Sequence, residues 1–210
     1  KKLSVKYNKV LIFDECTTGF RETLGGIYKK YNVQPDILIL GKALGNGYPI
    51  TCVLGRDDIM KLKKKSFISS TFWTDRIGPA AALETIKIME KYKTWKKITT
   101  IGNKIRAIWS TNSKRYKIPI TIQGIPALSN FSFCDKANNS LFRSYLINSL
   151  LNKNILSSNI FYTSISHTNN IIKRYSEAID EGFSNLKESI DNESIFKLKK
   201  KLKTSITFRK

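Results

Sequence analysis

Residues Gln34–Pro49 of this chain read QPDILILGKALGNGYP, and this stretch decides the fold. Gln34–Asp36 is typical of a turn, and the apolar run Ile37–Leu40 that follows is typical of a short strand. The strand leads into a glycine-rich loop, Gly41–Pro49, whose glycines permit tight turns and a close approach of the backbone to a ligand. The stretch therefore predicts a ligand-binding loop that carries a lysine, Lys42.

The segments on either side predict further strands. Upstream, Lys9–Asp14 (KVLIFD) is almost entirely apolar and ends in an acid, which is typical of a strand covered on both faces in a parallel sheet. Downstream, Ile50–Leu54 predicts a third strand and Asp57–Lys63 predicts a short helix. The first half of the chain is therefore expected to be an α/β structure.

The second half predicts another α/β module, with the boundary between residues 90 and 110. Gly78-Pro79 opens an amphipathic helical stretch that continues, with a break, to Trp109, because proline suits the first turn of a helix. Thr168 is the expected N-cap of the last helix. The remaining predicted elements are strands at Ile118–Gln123 and Leu128–Cys134 around a turn at Gly124–Pro126, a helix at Ser140–Asn152 with Leu141, Tyr145 and Leu150 on one face, a strand at Ile160–Ile165, and a last-helix stripe of Ile172, Tyr175, Ile179, Phe183 and Leu186.

Composition excludes several classes of protein. With 210 residues, 41% of them hydrophobic, the chain is long and apolar enough to fold, and no segment approaches the roughly 20 apolar residues that span a bilayer. Three dispersed cysteines and a single histidine, His167, argue against a zinc or multi-histidine centre and favour a reducing, cytoplasmic compartment. No secretory signal follows the basic start, and because the chain begins without Met beside a strand, we expect a piece of a longer polypeptide.

The net charge of +21 raises the question of a nucleic-acid partner. The lysines are spread along the chain, with denser runs at Lys61–Lys65 (KLKKK) and Lys197–Lys203 (KLKKKLK). No DNA- or RNA-binding motif accompanies these runs. Solvated helix faces and a tail are therefore the expected explanation, and we expect neither a specific nucleic acid nor a membrane as partner.

Two neighbouring acids, Asp14 and Glu15, end the first predicted strand, where open α/β sheets place their ligands. Strand alternation sends their side chains to opposite faces, so they do not form a paired-carboxylate site. Asp14 and Cys16 share a face, and together they could bind a flat heteroaromatic cation, with the charge on its nitrogen and the thiol on its face. A strand-end acid that caps or forms an ion pair explains the same residues.

Lys42 is a candidate amine nucleophile because a lysine in a partly desolvated pocket has a lowered pKa. In a chain with so many lysines, one that lies beside a glycine is not by itself specific.

The order and spacing of several segments resemble class-III aminotransferases, including glutamate-1-semialdehyde aminomutase. The resemblance covers nearly the whole chain and is carried by LIFDECTTGFR (Leu11–Arg21), Gly25-Gly26, QPDILILGKALGNGYP (Gln34–Pro49), SSTFWTDRIGPAAALETIK (Ser69–Lys87), QGIPALSNFSF (Gln123–Phe133) and FYTSISHT (Phe161–Thr168). It implies fold-type I, pyridoxal 5'-phosphate (PLP) as cofactor and a homodimer whose site is shared across the interface. The fold class is then α/β, as the C-terminal part of a fold-type I PLP-dependent transferase.

The resemblance implies a role for four residues. Asp14 matches the aspartate that pairs with the pyridine nitrogen of the cofactor, and Cys16 matches the position, usually Val, that packs on one face of the ring. Lys42 matches the catalytic lysine that forms a Schiff base with PLP and then moves a proton. Thr71 matches the threonine that reaches the cofactor phosphate of the neighbouring subunit.

Other residues are ambiguous. Arg21 is as consistent with a structural ion pair as with a substrate contact, and Asn46 and Gly47 are expected to shape the loop after Lys42. Trp73 and Arg76 could both reach a substrate anion, although packing is the expected role of Trp73. His167 is expected to cap or pack near the last helix.

Two departures from the family pattern limit the implied function. Arg76–Pro79 replaces the Gly-Asn-Pro segment that often follows the phosphate-binding threonine, which disfavours the aminomutase itself. The family's N-terminal half, with its phosphate loop and stacking aromatic residue, has no counterpart in these residues.

The resemblance divides the chain into residues 1–92, the C-terminal part of the PLP-binding large domain, and residues 93–210, a small C-terminal domain with a basic tail from about residue 193. The implied function is PLP-dependent amino-group transfer on a small amino or keto substrate. The alternative is a truncated, catalytically incomplete fragment that acts only as a partner subunit or remnant.

Overall fold

The computed structural model describes residues 1–61, 67–68, 71–72 and 74–197. The chain divides into two compact units, Lys1–Thr99 and Thr100–Lys210. Their boundary lies inside the expected range of residues 90 to 110. Trp73, residues 62–65 of the first lysine run and residues 198–203 of the second lie outside the described residues, as does most of the predicted basic tail.

The first unit contains one small sheet with helices around it. Its elements, in order, are α1 (Lys2–Lys6), β1 (Ile12–Asp14), α2 (Tyr28–Tyr31), β2 (Ile37–Leu40), a 3₁₀ turn (Lys42–Leu44), β3 (Cys52–Gly55), α3 (Asp57–Met60), α4 (Ile77–Tyr92) and the start of α5 (Thr94–Arg115). The predicted strand and glycine-rich loop of Gln34–Pro49 are confirmed. The break expected in the long helical stretch is Lys93, whose φ of +48° ends α4 in the left-handed conformation.

The strand order in the first unit is β1-β2-β3. β1 and β2 are parallel, with Asp14 beside Ile39, whereas β3 runs antiparallel to β2, with Leu40 beside Cys52. The side chains of Leu38 and Leu40 are buried in a core with Phe20 and Leu44. Because β1 and β2 are parallel, the loops that follow them leave the sheet at the same edge.

The expectation that both faces of β1 are covered is wrong for the described residues. Ile12 is 53% exposed, and only the side chain of Phe13 packs against the core. β1 pairs with β2 alone among these residues, so it is an edge strand with three ladder residues. Its apolar sequence therefore exceeds what this sheet buries.

The second unit has an antiparallel sheet and three long helices. Besides the rest of α5 it contains β4 (Ile120–Gln123), β5 (Leu128–Phe133), α6 (Asn139–Leu151), β6 (Ile160–Tyr162) and α7 (Asn169–Asp191). The strand order is β4-β5-β6, with Ile120 beside Phe133 and Leu128 beside Tyr162. Gly124, with a φ of +83°, makes the predicted turn between β4 and β5, where a side chain would be strained.

The stripe predicted on the last helix is confirmed. All five residues of that stripe are buried, and the N-cap Thr168 accepts a hydrogen bond at its hydroxyl from the Ile171 amide at 3.4 Å. Ile195 is also fully buried in this core, so the folded unit extends past residue 193, where the tail was expected to begin.

The face predicted for α6 is only partly correct. The buried residues are Phe142, Leu146 and Leu150, whereas Leu141 and Tyr145 lie at the edge of the core. Both sets have helical spacing, so the periodicity predicted the helix but did not fix its rotation.

None of the helices in the described ranges is both long and apolar enough to cross a membrane.

Candidate functional site

The candidate site lies at the edge of the first sheet where β1 and β2 end. A cavity of about 560 Å³ opens there. Its described lining residues come from the loop after β1 and from the glycine-rich loop after β2, and they are Cys16, Lys42, Gly47, Tyr48, Pro49, Ile50 and Thr51. The parallel pairing of the two strands thus brings Cys16 and Lys42 together, as the sequence predicts for ligands at the carboxyl ends of strands.

Gly41 allows the two loops to touch. A Cβ atom at this position would lie 2.7 Å from the Cys16 sulfur and 3.3 Å from Cγ2 of Thr51. Any other residue would therefore push the loop of Cys16 away from the loop of Lys42. Asn46 and Gly47 shape the rest of the glycine-rich loop, with φ angles of +47° and +113°.

Lys42 has a left-handed backbone conformation, and its side chain forms a hydrogen bond with the loop after β1. Its φ is +43°, in the left-handed region that a residue with a side chain rarely adopts. Its Nζ donates a hydrogen bond to the hydroxyl of Thr17, in the loop after β1. The lysine is exposed, so the described residues leave its amine in contact with solvent rather than in the desolvated pocket that we expected.

Asp14 and Glu15 point to different environments, as strand alternation predicts. Asp14 is exposed, and its Oδ1 accepts a hydrogen bond from the Cys16 amide at 3.0 Å. Glu15 is only 3% exposed, and its two carboxylate oxygens accept hydrogen bonds from the Ile27 and Tyr28 amides at the start of α2. Glu15 therefore fixes the loop structurally, and Asp14 remains available for a ligand.

Asp36 anchors the start of β2, the strand that leads into the loop of Lys42. Its carboxylate accepts hydrogen bonds from the Lys1 amine at 2.6 Å, from the Leu11 amide at 2.8 Å and from the Arg56 guanidinium at 3.0 Å. The hydrogen bonds, of which the one from Lys1 has the largest effect, lower the pKa of Asp36 to about 2.

Thr71 is not brought to this cavity. It is exposed in the turn before α4, and it is not among the described residues that line the cavity. Arg21 is half-buried in the loop after β1, and Arg76 is exposed at the N-terminus of α4. Trp73 lies outside the described residues.

The second unit has a cavity of its own, of about 620 Å³, lined by residues 154–158, β6 and the first turns of α7. His167 lies there, and its Nδ1 accepts a hydrogen bond from the Ser164 amide at 2.9 Å while its ring packs 4.9 Å from the ring of Phe161. Burial lowers the pKa of His167. Burial also raises the pKa of Tyr175 to about 12, and its hydroxyl accepts a hydrogen bond from the Trp109 indole at 2.8 Å. Packing and hydrogen bonding therefore account for His167, as expected.

Thr17 is the residue of the site that the sequence did not single out. It stands beside Thr18 in the run CTTG, and nothing in that run separates the two hydroxyls. Only the approach of the two loops shows which threonine meets Lys42, 25 residues further along the chain.

Comparison with known proteins gives the same family throughout. The family model for aminotransferase class-III matches residues 1–190. The 3-aminobutyryl-CoA aminotransferase of Cloacimonas acidaminovorans (strain Evry) is 31% identical over 196 residues, which cover 90% of this chain and 47% of that protein. The glutamate-1-semialdehyde 2,1-aminomutase of Methanococcus vannielii is 30% identical over 190 residues, covering 81% of this chain and 44% of the relative.

Solved structures share the fold. The FumI protein of Sphingopyxis sp. MTA144, in its PLP internal aldimine form, superposes with a TM-score of 0.84 at 22% identity, over 90% of this chain and 46% of its own. The ornithine aminotransferase of Toxoplasma gondii superposes with a TM-score of 0.75 at 26% identity, over 90% of this chain and 46% of its own. The chain thus spans about half the length of the relatives that it matches.

Proposed function

Because the chain belongs to the class-III aminotransferase family, we propose that it serves PLP-dependent amino-group transfer, with Lys42 as the lysine that holds the cofactor. The observation that carries this proposal is the meeting of Cys16 and Lys42 in one cavity, with Asp14 at the end of β1, where its carboxylate accepts a hydrogen bond from the Cys16 amide.

Lys42 and Cys16, which line the cavity, and Asp14, which is exposed at the end of β1 two residues before Cys16, fit the cofactor chemically. A primary amine, a carboxylate and a soft apolar thiol are the groups suited to a carbonyl carbon, a protonated ring nitrogen and the face of an aromatic ring, respectively. The contact between Gly41 and Cys16 keeps the thiol next to the loop of the amine. In this proposal Asp14, Cys16 and Lys42 bind the cofactor, and when bound it supplies an electron sink for the substrate carbanion.

Lys42 has two tasks in the proposed reaction. Its amine would hold the cofactor covalently. When free, Nζ would act as general base toward the proton on the substrate carbon that bears the amine, and as general acid when it returns that proton. Asp14 would bind the ring nitrogen, because a carboxylate there favours the protonated ring.

Thr71 and the oligomer belong to the same proposal. Thr71 is exposed, as a hydroxyl that contacts the cofactor phosphate of a second subunit must be. We therefore propose a homodimer with shared sites, in the cytoplasm, that acts on a small amino or keto substrate. Residues 1–92 then form the C-terminal part of the cofactor-binding domain, and residues 93–210 form the small domain.

An assay with and without a keto acceptor tests the reaction. The protein is incubated with PLP and an amino donor, and the products are separated. Amino-group transfer gives more than one equivalent of keto product per PLP only when the acceptor regenerates the cofactor, whereas a mutase isomerises its substrate without an acceptor. We expect acceptor-dependent turnover that is lost in Lys42→Ala and retained in Lys29→Ala, whose amine bonds to the Leu24 carbonyl instead.

The competing proposal is a chain that binds its partner but turns over no substrate. Equal product formation by the Lys42→Ala variant would contradict the catalytic role of Lys42. Absence of turnover together with Lys42-dependent PLP binding would support the competing proposal.

A further inference from the structure

The loops that carry Thr17 and Lys42 are held to one another at several points. The ladder between β1 and β2 continues past the strands, because the Glu15 amide donates to the Ile39 carbonyl at 2.9 Å. One residue after Glu15 and two residues after Ile39, the Cys16 sulfur packs against Gly41. The next residues in the two loops are Thr17 and Lys42, so their side chains meet as a consequence of the backbone register.

The loop after β1 is itself fixed, which gives the Thr17 hydroxyl a defined position. The Cys16 amide is bound by the Asp14 carboxylate at 3.0 Å, and the Gly19 amide donates to the Glu15 carbonyl at 2.8 Å. The buried Glu15 carboxylate ties the same loop to α2.

The backbone of Lys42 supports a specific rather than an incidental contact. A φ of +43° costs a residue with a side chain about 1 kcal/mol or more, and such a conformation persists where the surroundings impose it. In this conformation Nζ of Lys42 reaches the hydroxyl of Thr17, although Lys42 is exposed and has open solvent as the alternative.

We propose that Thr17 is a positioning residue for Lys42, whose hydroxyl holds the lysine amine at the mouth of the cavity in the state that awaits the cofactor. The inference rests on the proposed function in that Lys42 is the cofactor-binding lysine. A hydroxyl suits the task because it accepts a hydrogen bond from a charged ammonium and donates one to a neutral amine, so it holds Nζ in both protonation states.

The test compares two reagents on the whole chain, with mapping by peptide mass spectrometry. The first is PLP, trapped on the protein by borohydride, which labels fastest an amine that lies beside a binding site for PLP. The second is formaldehyde with cyanoborohydride, a small reagent that methylates amines without needing a binding site. The variants are Thr17→Val, which removes the hydroxyl at constant shape, Thr17→Ser, which restores it, and Thr18→Val, a neighbouring control with the same change.

We expect Thr17→Val to lower the initial rate of pyridoxyl labelling of Lys42 by about threefold to tenfold, which is what one hydrogen bond is worth. Methylation of Lys42 should rise in the same variant, because the released amine can be approached from more directions. Thr17→Ser and Thr18→Val should both behave like the unaltered chain. Lys30, whose amine lies 2.6 Å from the Glu22 carboxylate, reports on the fold, and its methylation should not change.

Unchanged labelling of Lys42 by both reagents in Thr17→Val would overturn the inference. So would a Thr17→Ser variant that behaves like Thr17→Val, because the hydroxyl would then not be the group that matters. A rise in methylation of both Lys42 and Lys30 would also overturn it, since it would show loosening of the unit. If the unaltered chain takes no pyridoxyl label at Lys42 but the methylation contrast persists, the positioning by Thr17 stands and the proposed function fails.

Discussion

The contact between Gly41 and Cys16 predicts a pair of substitutions whose effects are not additive. In Gly41→Ala the new Cβ would lie 2.7 Å from the Cys16 sulfur, which is about 1 Å inside an ordinary non-bonded contact. Inserting a methyl group into a packed position typically costs about 1–3 kcal/mol, and we expect about 2 kcal/mol here. Removing the sulfur by Cys16→Ala gives the new methyl group room.

The loss of unfolding free energy in the double variant Gly41→Ala/Cys16→Ala should therefore be smaller than the sum of the losses in the two single variants, by about 1 kcal/mol or more. The matched control is Gly47→Ala, where no heavy atom of the described residues, apart from Gly47 and its chain neighbours, lies within 4 Å of the new Cβ, and the strain comes from a φ of +113°. Because that strain is in the backbone, Cys16→Ala should not relieve it.

Hydrogen exchange of the Glu15 amide, which donates to the Ile39 carbonyl, is the appropriate assay. It reports on the first unit alone, whereas global unfolding of a chain with two compact units need not be a single transition. A loss of about 2 kcal/mol corresponds to roughly 30-fold faster exchange. If the two changes add to within about 0.5 kcal/mol, the sulfur does not limit the space at Gly41 and the described geometry of the site is wrong.

Three further predictions concern stability. In a urea titration, Glu15→Gln should destabilise the first unit by about 1–2 kcal/mol, because it removes the charge that binds the Ile27 and Tyr28 amides. The control Glu84→Gln, on the exposed face of α4, should have almost no effect. The pKa of Asp36 is lowered from 3.8 to about 2, so its contribution to the stability of the fold is present above pH 4 and lost as the pH falls toward 2. Asp36→Asn should remove this part of the acid destabilisation when unfolding is followed by circular dichroism as a function of pH. An acid profile that is the same in both proteins would contradict this prediction. Tyr175→Phe leaves the buried Trp109 indole N–H without its acceptor and should cost about 1–3 kcal/mol by thermal unfolding, whereas Tyr162→Phe, at a half-exposed position, should cost much less.

Local chemistry explains which parts of the fold could be predicted. The buried stripe on α7 follows from helical periodicity, and its cap follows from one hydrogen bond between Thr168 and the amide of Ile171, so both could be predicted from the sequence. The strand and glycine-rich loop of Gln34–Pro49 could be predicted too, because they also depend on residues that are close together in the sequence.

The remaining features depend on contacts between distant residues. The rotation of α6 depends on which residues of α7 it meets, and spacing alone allowed both Leu141 and Phe142 as core positions. The exposure of Ile12 could not be predicted, because an apolar strand predicts burial without naming the partner that provides it.

The site shows the same division. Lys42 and Cys16 were identified through motifs, and the parallel pairing of β1 and β2 brings them together. The contact between Thr17 and Lys42 joins residues 25 positions apart, and two adjacent threonines gave no means of choosing between them. The roles of Asp14, Cys16, Lys42 and Thr71 toward a cofactor remain predictions.

The central claim is that Lys42 is the residue that holds PLP, and mapping of the trapped cofactor tests it most directly. The chain is incubated with PLP, reduced with borohydride and digested, and the pyridoxyl group is located by tandem mass spectrometry. We predict one dominant label on Lys42, in the peptide that contains GKALGNGYP, and its loss in Lys42→Ala. A dominant label on another lysine, or equal labelling of the Lys42→Ala variant, would contradict the claim.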